Sequence, residues 1–570
     1  MKYLKALEYR YSKVLNFLLL GKRPYYVILF SIFLLFGTFQ LNQFFPPKVL
    51  YFPENRPNYI NVFIELPVGT DIEETNRFTK KLEESINDIL FEYRDIIESI
   101  VSYVGKRTLN VNDPSVFSMR DSPNRAKINI NFFEFEKRNG INTIDVLEKL
   151  RNNMEKFPGV SITLGKDRKG PPVGGEISIE VTGPEFKVLI SQVEKIRRNI
   201  NESNIPGIEK LVLDLSTRKP ELLIDFDRDK LRRYGLSTGM LANELRTSLF
   251  GKEISKYKVG EDDFKIQLRL QDEYRYDIDA LMNKNITFRN QSNGMTYQVP
   301  ISSFASMKMS NTFSSVKRKD LDKIITISSN VISGYNPTEV NSKIDMVLKK
   351  VPLPNGYSYK FGGEQQEQEE EMAFLSNAFM IALFLVFIII VAQFNKIITP
   401  LIIMSSIILS TIGVFLGLFI FNMDFVVVMT MIGIISLIGI VVNNAIVLID
   451  FIELNRKRKL ISKKSDLSLD DIIFCISEAG KTRLRPVILT ALTTILGLMP
   501  LAIGMNFDFV KFFNSYQVSF YLGGDNMVFF GPIAWAIIFG LTFATFLTLL
   551  VIPSMYLIQV KMNRFFGLSK

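Results

Sequence analysis

The chain has 570 residues, of which 47% are hydrophobic and 22% charged, and 68 Lys and Arg against 58 Asp and Glu give a formal charge of +10. So apolar a chain with so many charges needs both an embedded and a wetted part. A single cysteine, Cys475, excludes an internal disulfide framework, and the absence of histidine removes the commonest metal ligand and the usual neutral-pH proton carrier.

The first apolar run, 24–45, has the length a helix needs to cross a bilayer and follows a basic segment, 1–23, with Lys2, Lys5, Arg10, Lys13, Lys22 and Arg23. It is longer than a signal-peptide core and no small-residue cleavage site follows, so it is expected to stay as an uncleaved span. From 46 to 371 the pattern changes to charged helices alternating with short β-branched strands, as a wetted α+β domain requires. A first unit over 58–165 reads strand, helix, two strands, helix, strand. After the Gly/Pro-rich break at 169–175 a second, similar βαβ-type unit begins at 175–221 and resumes at 306–362. An inserted subdomain at 222–305 separates its halves.

Five further apolar runs follow, at 372–394, 397–421, 425–451, 486–505 and 531–557. Between the fourth and fifth spans lies a segment, 452–485, expected as a basic loop carrying Arg456, Lys457, Arg458, Lys459, Lys463, Lys464, Lys481, Arg483 and Arg485. A short loop, 506–530, precedes the last span, and a basic tail, 558–570, ends the chain. Threading six spans from a basic inner end puts 46–371 outside and both 452–485 and the tail inside, so the cations fall on one side at three places. That arrangement explains the positive charge without nucleic acid, for which no recognition motif is present.

Within the spans, Asn443, Val447 and Asp450 share a helical face at i, i+4 and i+7, and Arg483, Thr490, Thr494 and Gly497 share another. Such polar residues either line an ion path or do structural work: amides bridging two helices, threonines bonded to their own backbone, a carboxylate or guanidinium reaching the surface. Outside, 106–123 is a long loop with Val111, Val116 and Phe117 interrupting polar ends, which suits either a mobile loop at a ligand cleft or an ordinary surface loop. Met119 has no methionine neighbour in that segment, so a methionine relay for metals is not indicated.

Three stretches resemble the hydrophobe/amphiphile efflux family of resistance-nodulation-division permeases. They are Gly439-Ile-Val-Val-Asn-Asn-Ala-Ile-Val-Leu-Ile-Asp-Phe451, Arg483 to Pro500 with its Arg-Leu-Arg-Pro-Val-Ile-Leu-Thr opening, and Gly540 to Pro553. Glu65-Leu-Pro-Val-Gly-Thr70 and the Asp227 to Gly235 stretch add to the similarity. The resemblance implies an α+β membrane protein with six transmembrane helices in a bacterial inner membrane. Its large periplasmic domain would hold two βαβ-type porter units and an inserted docking subdomain. It further implies secondary transport rather than catalysis, with no cofactor.

Family members contain two such repeats, and this chain resembles the second, because Asn443-Asn444 stands where the first repeat carries a proton-carrying Asp-Asp pair. The second repeat often has a lysine at the place of Asn443, and this sequence departs from that. Arg483 and Thr490 match accessory relay positions. The resemblance implies an N-terminal-half chain as partner, a trimeric assembly, a periplasmic adaptor, an outer-membrane channel, and hydrophobic or amphiphilic small molecules as cargo. A split gene product, a fragment, a Sec-type protein-export accessory subunit and a non-transporting membrane scaffold are the alternatives the sequence leaves open.

Overall fold

The computed structural model describes all residues except 1, 54–55, 107, 109–121, 139, 155–159, 167–173, 216–218, 290–293, 313–315, 333, 464–466, 508–511, 515, 517–519 and 566–570. The expected loop residues Val111, Val116 and Phe117, with Met119, lie outside the described residues. The chain divides into two compact units, Met1–Asp214 with Lys317–Lys570, and Leu215–Val316.

In the first unit, α1 (Lys2–Leu19) leads into the span α2 (Arg23–Phe44), and β1 (Val49–Leu50) follows. Next come β2 (Tyr59–Glu65), α3 (Ile72–Leu90), β3 (Ile97–Val104), β4 (Arg125–Phe132), α4 (Thr143–Met154) and β5 (Ser161–Lys166). β4 alternates between half-buried and buried positions, and Ala126, Ile128, Ile130 and Phe132 point into the core, as the two-residue period of a one-sided sheet requires. α3 starts where the Asp71 carboxylate accepts the Glu73 amide, and it buries Leu82, Ile86 and Leu90 against that face.

Every pairing in this sheet is antiparallel, in the order β3-β4-β2-β5. β4 thus lies between the two strands that α3 connects. The unit is a split βαβ, with a strand inserted between the two that the helix connects.

β6 (Ile177–Gly183), α5 (Phe186–Glu202) and β7 (Val212–Leu213) open a second sheet, which the chain leaves at Leu215. The Leu215–Val316 unit contains β8 (Lys219–Phe226), α6 (Arg228–Arg233), α7 (Thr238–Phe250), β9 (Lys252–Val259), β10 (Asp262–Leu268), α8 (Asp272–Arg275), α9 (Ile278–Met282), β11 (Asn285–Arg289), β12 (Thr296–Pro300) and β13 (Ala305–Thr312). Its core sets Leu231, Leu241 and Leu245 against Ile286 and Phe288, with the Tyr234, Phe288 and Phe304 rings in edge contacts. β8 pairs along its whole length with β13, which draws both flanks into this unit and makes it wider than the expected 222–305.

Back in the first unit, β14 (Lys317–Lys319), β15 (Asp322–Ser329), α10 (Pro337–Leu348) and β16 (Ser358–Phe361) complete the second sheet. Its order is β15-β6-β16, with β7 and β14 side by side on the outer edge of β15. β7-β15-β6-β16 repeats the first sheet's order. The two sheets are joined by the Arg151–Glu209 ion pair at 3.0 Å, half-buried at both ends, and by the Lys210 ammonium donating to the Ser161 hydroxyl.

Among the described residues six helices are long and apolar enough to cross a membrane. They are α2, α11 (Glu364–Phe394), α12 (Ile398–Ile420), α13 (Val427–Lys463) after β17 (Phe425–Val426), α14 (Leu469–Ile503), and α15 (Asp525–Phe565) after the β18 (Met505–Phe507) and β19 (Phe520–Leu522) pair. β1 pairs with β17, tying the exit of α2 to the entry of α13. Beside it, burial together with the negative Glu371, Glu367 and Glu364 of α11 pushes the Tyr51 hydroxyl up to about 12.

α15 is the packing centre. A Cβ at Gly413 or Gly417 of α12 would meet Phe543 or Phe539 of α15 well inside van der Waals contact, and one at Gly540 of α15 would meet Leu437 of α13 at 2.2 Å. Lipid gives helices no hydrophobic reason to associate, so close backbone approach through small residues supplies dispersion energy in its place.

The expected basic loop 452–485 is a correction: most of it is helix. α13 runs on to Lys463 and α14 starts at Leu469. Ser468 and Asp471 form a reciprocal capping box, and Lys459 and Lys463 both pair with Asp471. Ile472, Ile476 and Ala479 are buried against Leu15 and Leu19 of α1. Lys, Arg and Leu are good helix formers, so a charged run between spans needs only a packing partner to stay helical.

Gly413→Ala should therefore destabilise the chain by about 1–3 kcal/mol, since the new methyl meets the Phe539 carbonyl at 2.6 Å. Gly439→Ala, where nothing lies within 4 Å, should be neutral or stabilising by up to ~1 kcal/mol. Thermal unfolding of the two variants in one detergent checks the opposite signs.

Candidate functional site

α13 and α14 carry the polar residues of the spans. Asn443 and Asn444 are adjacent, so a step of about 100° separates their directions on the helix. Asn444 is 8% exposed, whereas Asn443 and Asp450 are exposed. The face singled out by Asn443, Val447 and Asp450 is thus the outer one, and the side turned into the bundle is that of Asn444, Ala445 and Leu448.

Asn444 is held from α14. The Thr490 hydroxyl donates to the Asn444 Oδ1 at 3.2 Å and shares its proton with the Val487 carbonyl at 3.0 Å. Thr494 donates at 2.9 Å to the Thr490 carbonyl of its own helix, and Thr493 does the same. Those last two satisfy themselves within α14 and leave their outer sides free.

Arg483 sits lower on α14, its guanidinium 4.4 Å from the centre of the Phe451 ring and its Nε buried with no hydrogen-bond partner. Among the described residues no ion pair joins it to Asp450. The structure therefore brings Asn444 and Thr490 together, sets Arg483 on an aromatic face, and leaves Asn443 and Asp450 uncovered. Phe451 was missed because an aromatic at the end of a span reads as packing.

A second feature had no signal in the sequence. Below the first sheet a cavity of about 270 Å³ is lined by Asn58, Glu98, Phe133, Phe135, Arg138 and Asp525 among others. Arg138 is 1% exposed and donates to Asn58 Oδ1 at 2.6 Å, and Asn58 Nδ2 donates to Asp525 Oδ2 at 3.2 Å, linking the first sheet to the start of α15. These residues are far apart in sequence, so only the fold assembles them.

Residues 1–507 match the model of the AcrB/AcrD/AcrF family. The cobalt-zinc-cadmium resistance protein CzcA of Cupriavidus metallidurans is 27% identical over 384 residues, which are 67% of this chain and 33% of the relative. The multidrug resistance protein MdtC of Escherichia coli O81 is 26% identical over 72% of this chain and 37% of its own length. The fold is similar to a crystal structure of a heavy metal efflux pump, with a TM-score of 0.73 and 21% identity, over 98% of this chain and 53% of that one. The chain spans about half the length of the proteins it matches.

The Asn444–Thr490 pair is asymmetric, and that yields a test. Thr490→Val strands the buried Asn444 oxygen, so it should cost about 1–2 kcal/mol. Asn444→Leu leaves Thr490 its bond to Val487 and should cost less than ~1 kcal/mol, in line with interhelical bonds in membranes generally. Unfolding of the two single variants and the double variant, which should track Asn444→Leu, measures the ordering.

Proposed function

Because the chain belongs to the AcrB/AcrD/AcrF family, the resistance-nodulation-division permeases, we propose that it acts as one repeat of a proton-driven efflux transporter whose other repeat supplies the Asp-Asp pair. The observation that carries this reading is the uncovered polar face around the Asn444–Thr490 bond. Asn443, Thr490, Thr493 and Asp450 are all exposed on helices that otherwise suit a bilayer. Polar side chains facing lipid are expensive, so such a face calls for a protein surface of matching polarity.

An Asn amide meets that need for a partner that changes charge. Its N–H₂ donates to a carboxylate and its carbonyl accepts from a carboxylic acid, so it stays bonded in both protonation states. The aspartates of the other repeat would take up and release the proton, Asn443 would face them with Asn444 held behind it by Thr490, and Arg483, Thr490, Thr494 and Asp450 would line the path. Protonation removes a charge from the low-dielectric interior and so shifts helix positions.

In this reading the membrane is the bacterial inner membrane, both ends of the chain are cytoplasmic, and residues 46–371 are periplasmic. The cations of 1–23, 452–485 and 558–570 on one side support that orientation. The two sheets form porter units, Leu215–Val316 is a docking subdomain, and the segment holding Val111, Val116 and Phe117 borders the substrate cleft. The assembly is a trimer that works with a periplasmic adaptor and an outer-membrane channel.

Hydrophobic or amphiphilic compounds are the proposed cargo, supported by the match to a multidrug resistance protein. A second reading, divalent metal ions, is favoured by the match to a cobalt-zinc-cadmium resistance protein. With no histidine and one cysteine in the chain, metal would have to be held by carboxylates, methionines or the other repeat.

Purification from native membranes, followed by mass spectrometry of what remains bound, tests the first part. An Asp-Asp repeat should accompany this chain, on a separate or the same polypeptide. A stable oligomer of this chain alone would sink the relay. For cargo, cells carrying the complex should tolerate dyes and detergents better than cells lacking it, and a gain only against zinc, cobalt and cadmium would give the cargo to metals.

A further inference from the structure

α1 has an inner face fully accounted for by the bundle. Leu15 and Leu19 are 0% exposed, and the Tyr11 hydroxyl donates at 2.8 Å to the carbonyl of Leu549 in α15. That carbonyl lacks its ordinary helical donor, because the residue four further on is Pro553, which has no N–H. Tyr11 therefore closes the gap that a proline opens in the central helix, and α1 is pinned in one orientation.

The outer face has no such explanation. Leu7, Val14 and Phe17 are 46%, 49% and 56% exposed, and Arg10 and Lys13 lie among them, also exposed. Lys22 is exposed in the turn that follows. Among the described residues no carboxylate forms an ion pair with any of these three cations. The turn is held by Arg23, which stacks on Phe17 at 3.8 Å, and by the Lys561 ammonium donating to the Gly21 carbonyl at 3.1 Å.

Next to the turn, Tyr25 and Tyr26 are 49% and 64% exposed in the first turn of α2. Tyrosines at the end of an apolar span mark the headgroup level of a bilayer. α1 ends next to that level, with half-exposed apolar side chains interleaved with cations, which is the composition of a helix lying in the membrane interface.

We propose that the outer face of α1 and the turn after it bind anionic phospholipid headgroups, with Arg10, Lys13 and Lys22 taking the phosphates and Leu7, Val14 and Phe17 entering the acyl boundary. Pinned to α15 through Tyr11, this contact fixes the depth of the helix that the other spans pack on. It does not depend on the transport reading, since it needs only the chain in a bilayer.

The test uses the purified full chain, with whatever partner accompanies it, titrated with phosphatidylglycerol or phosphatidylcholine and read by native mass spectrometry. The chain should retain phosphatidylglycerol in preference, and R10Q/K13Q/K22Q should bind it roughly tenfold more weakly with phosphatidylcholine unchanged. The control K252Q/K256Q/K258Q, which removes three exposed cations of β9, should retain phosphatidylglycerol as the parent does. Equal retention of the two lipids by the parent, or an equal loss in the β9 control, overturns the proposal. So does a photo-crosslinker at Val14 that captures a polypeptide in place of phospholipid.

Discussion

The arrangement of the spans depends on how closely α15 can be approached. α12 comes within contact of its backbone at Gly413 and of the Phe539 side chain at Gly417, and in α13 Leu437 lies over Gly540. In a bilayer no hydrophobic force draws helices together, so this shape match takes over that role. Once α13 is seated, its register is set, and the register decides which of two adjacent amides enters the bundle. Asn444 enters, and Asn443 does not.

That choice gives the polar residues two different duties. Asn444 is satisfied within the chain by Thr490 and helps hold α13 to α14, as an amide in a membrane interior must be held. Thr490 and Thr493 bond Asn444 or their own helix, whereas Asn443 and Asp450 are exposed and among the described residues no hydrogen bond or ion pair covers them. The basic end of the bundle is organised as well. The helices run on past the apolar limits, the capping box at Ser468 starts α14, and α1 lies against the result, its tyrosine filling the place of a proline's missing donor.

Much of this was legible in the chain. The six apolar runs were readable because length and hydropathy decide a span locally. The soluble elements were readable too: Asp71 caps a helix and β4 alternates because capping and two-residue periodicity are local properties. The strand order was not, because a strand inserted between two others is a long-range pairing that leaves no mark on either. The reach of the inserted unit was hidden for the same reason, since β8 and β13 are about 80 residues apart in sequence and define each other. The helical course of 452–485 was hidden because its charges read as a loop until α1 supplied an apolar surface for its buried stripe.

By itself, then, the sequence determined which segments enter the membrane, which are wetted, and which polar residue types lie within the spans, and its motifs pointed to the family. Those are questions of transfer free energy and local periodicity, answered residue by residue. The tertiary structure alone decided that Asn444 and not Asn443 meets Thr490, that Arg483 lies on Phe451, and that Arg138, Asn58 and Asp525 form one chain of bonds across some 470 residues. Helical periodicity places a residue on a face, but which face is buried depends on the neighbour that packs there, and that neighbour is chosen by the close fit of distant helices.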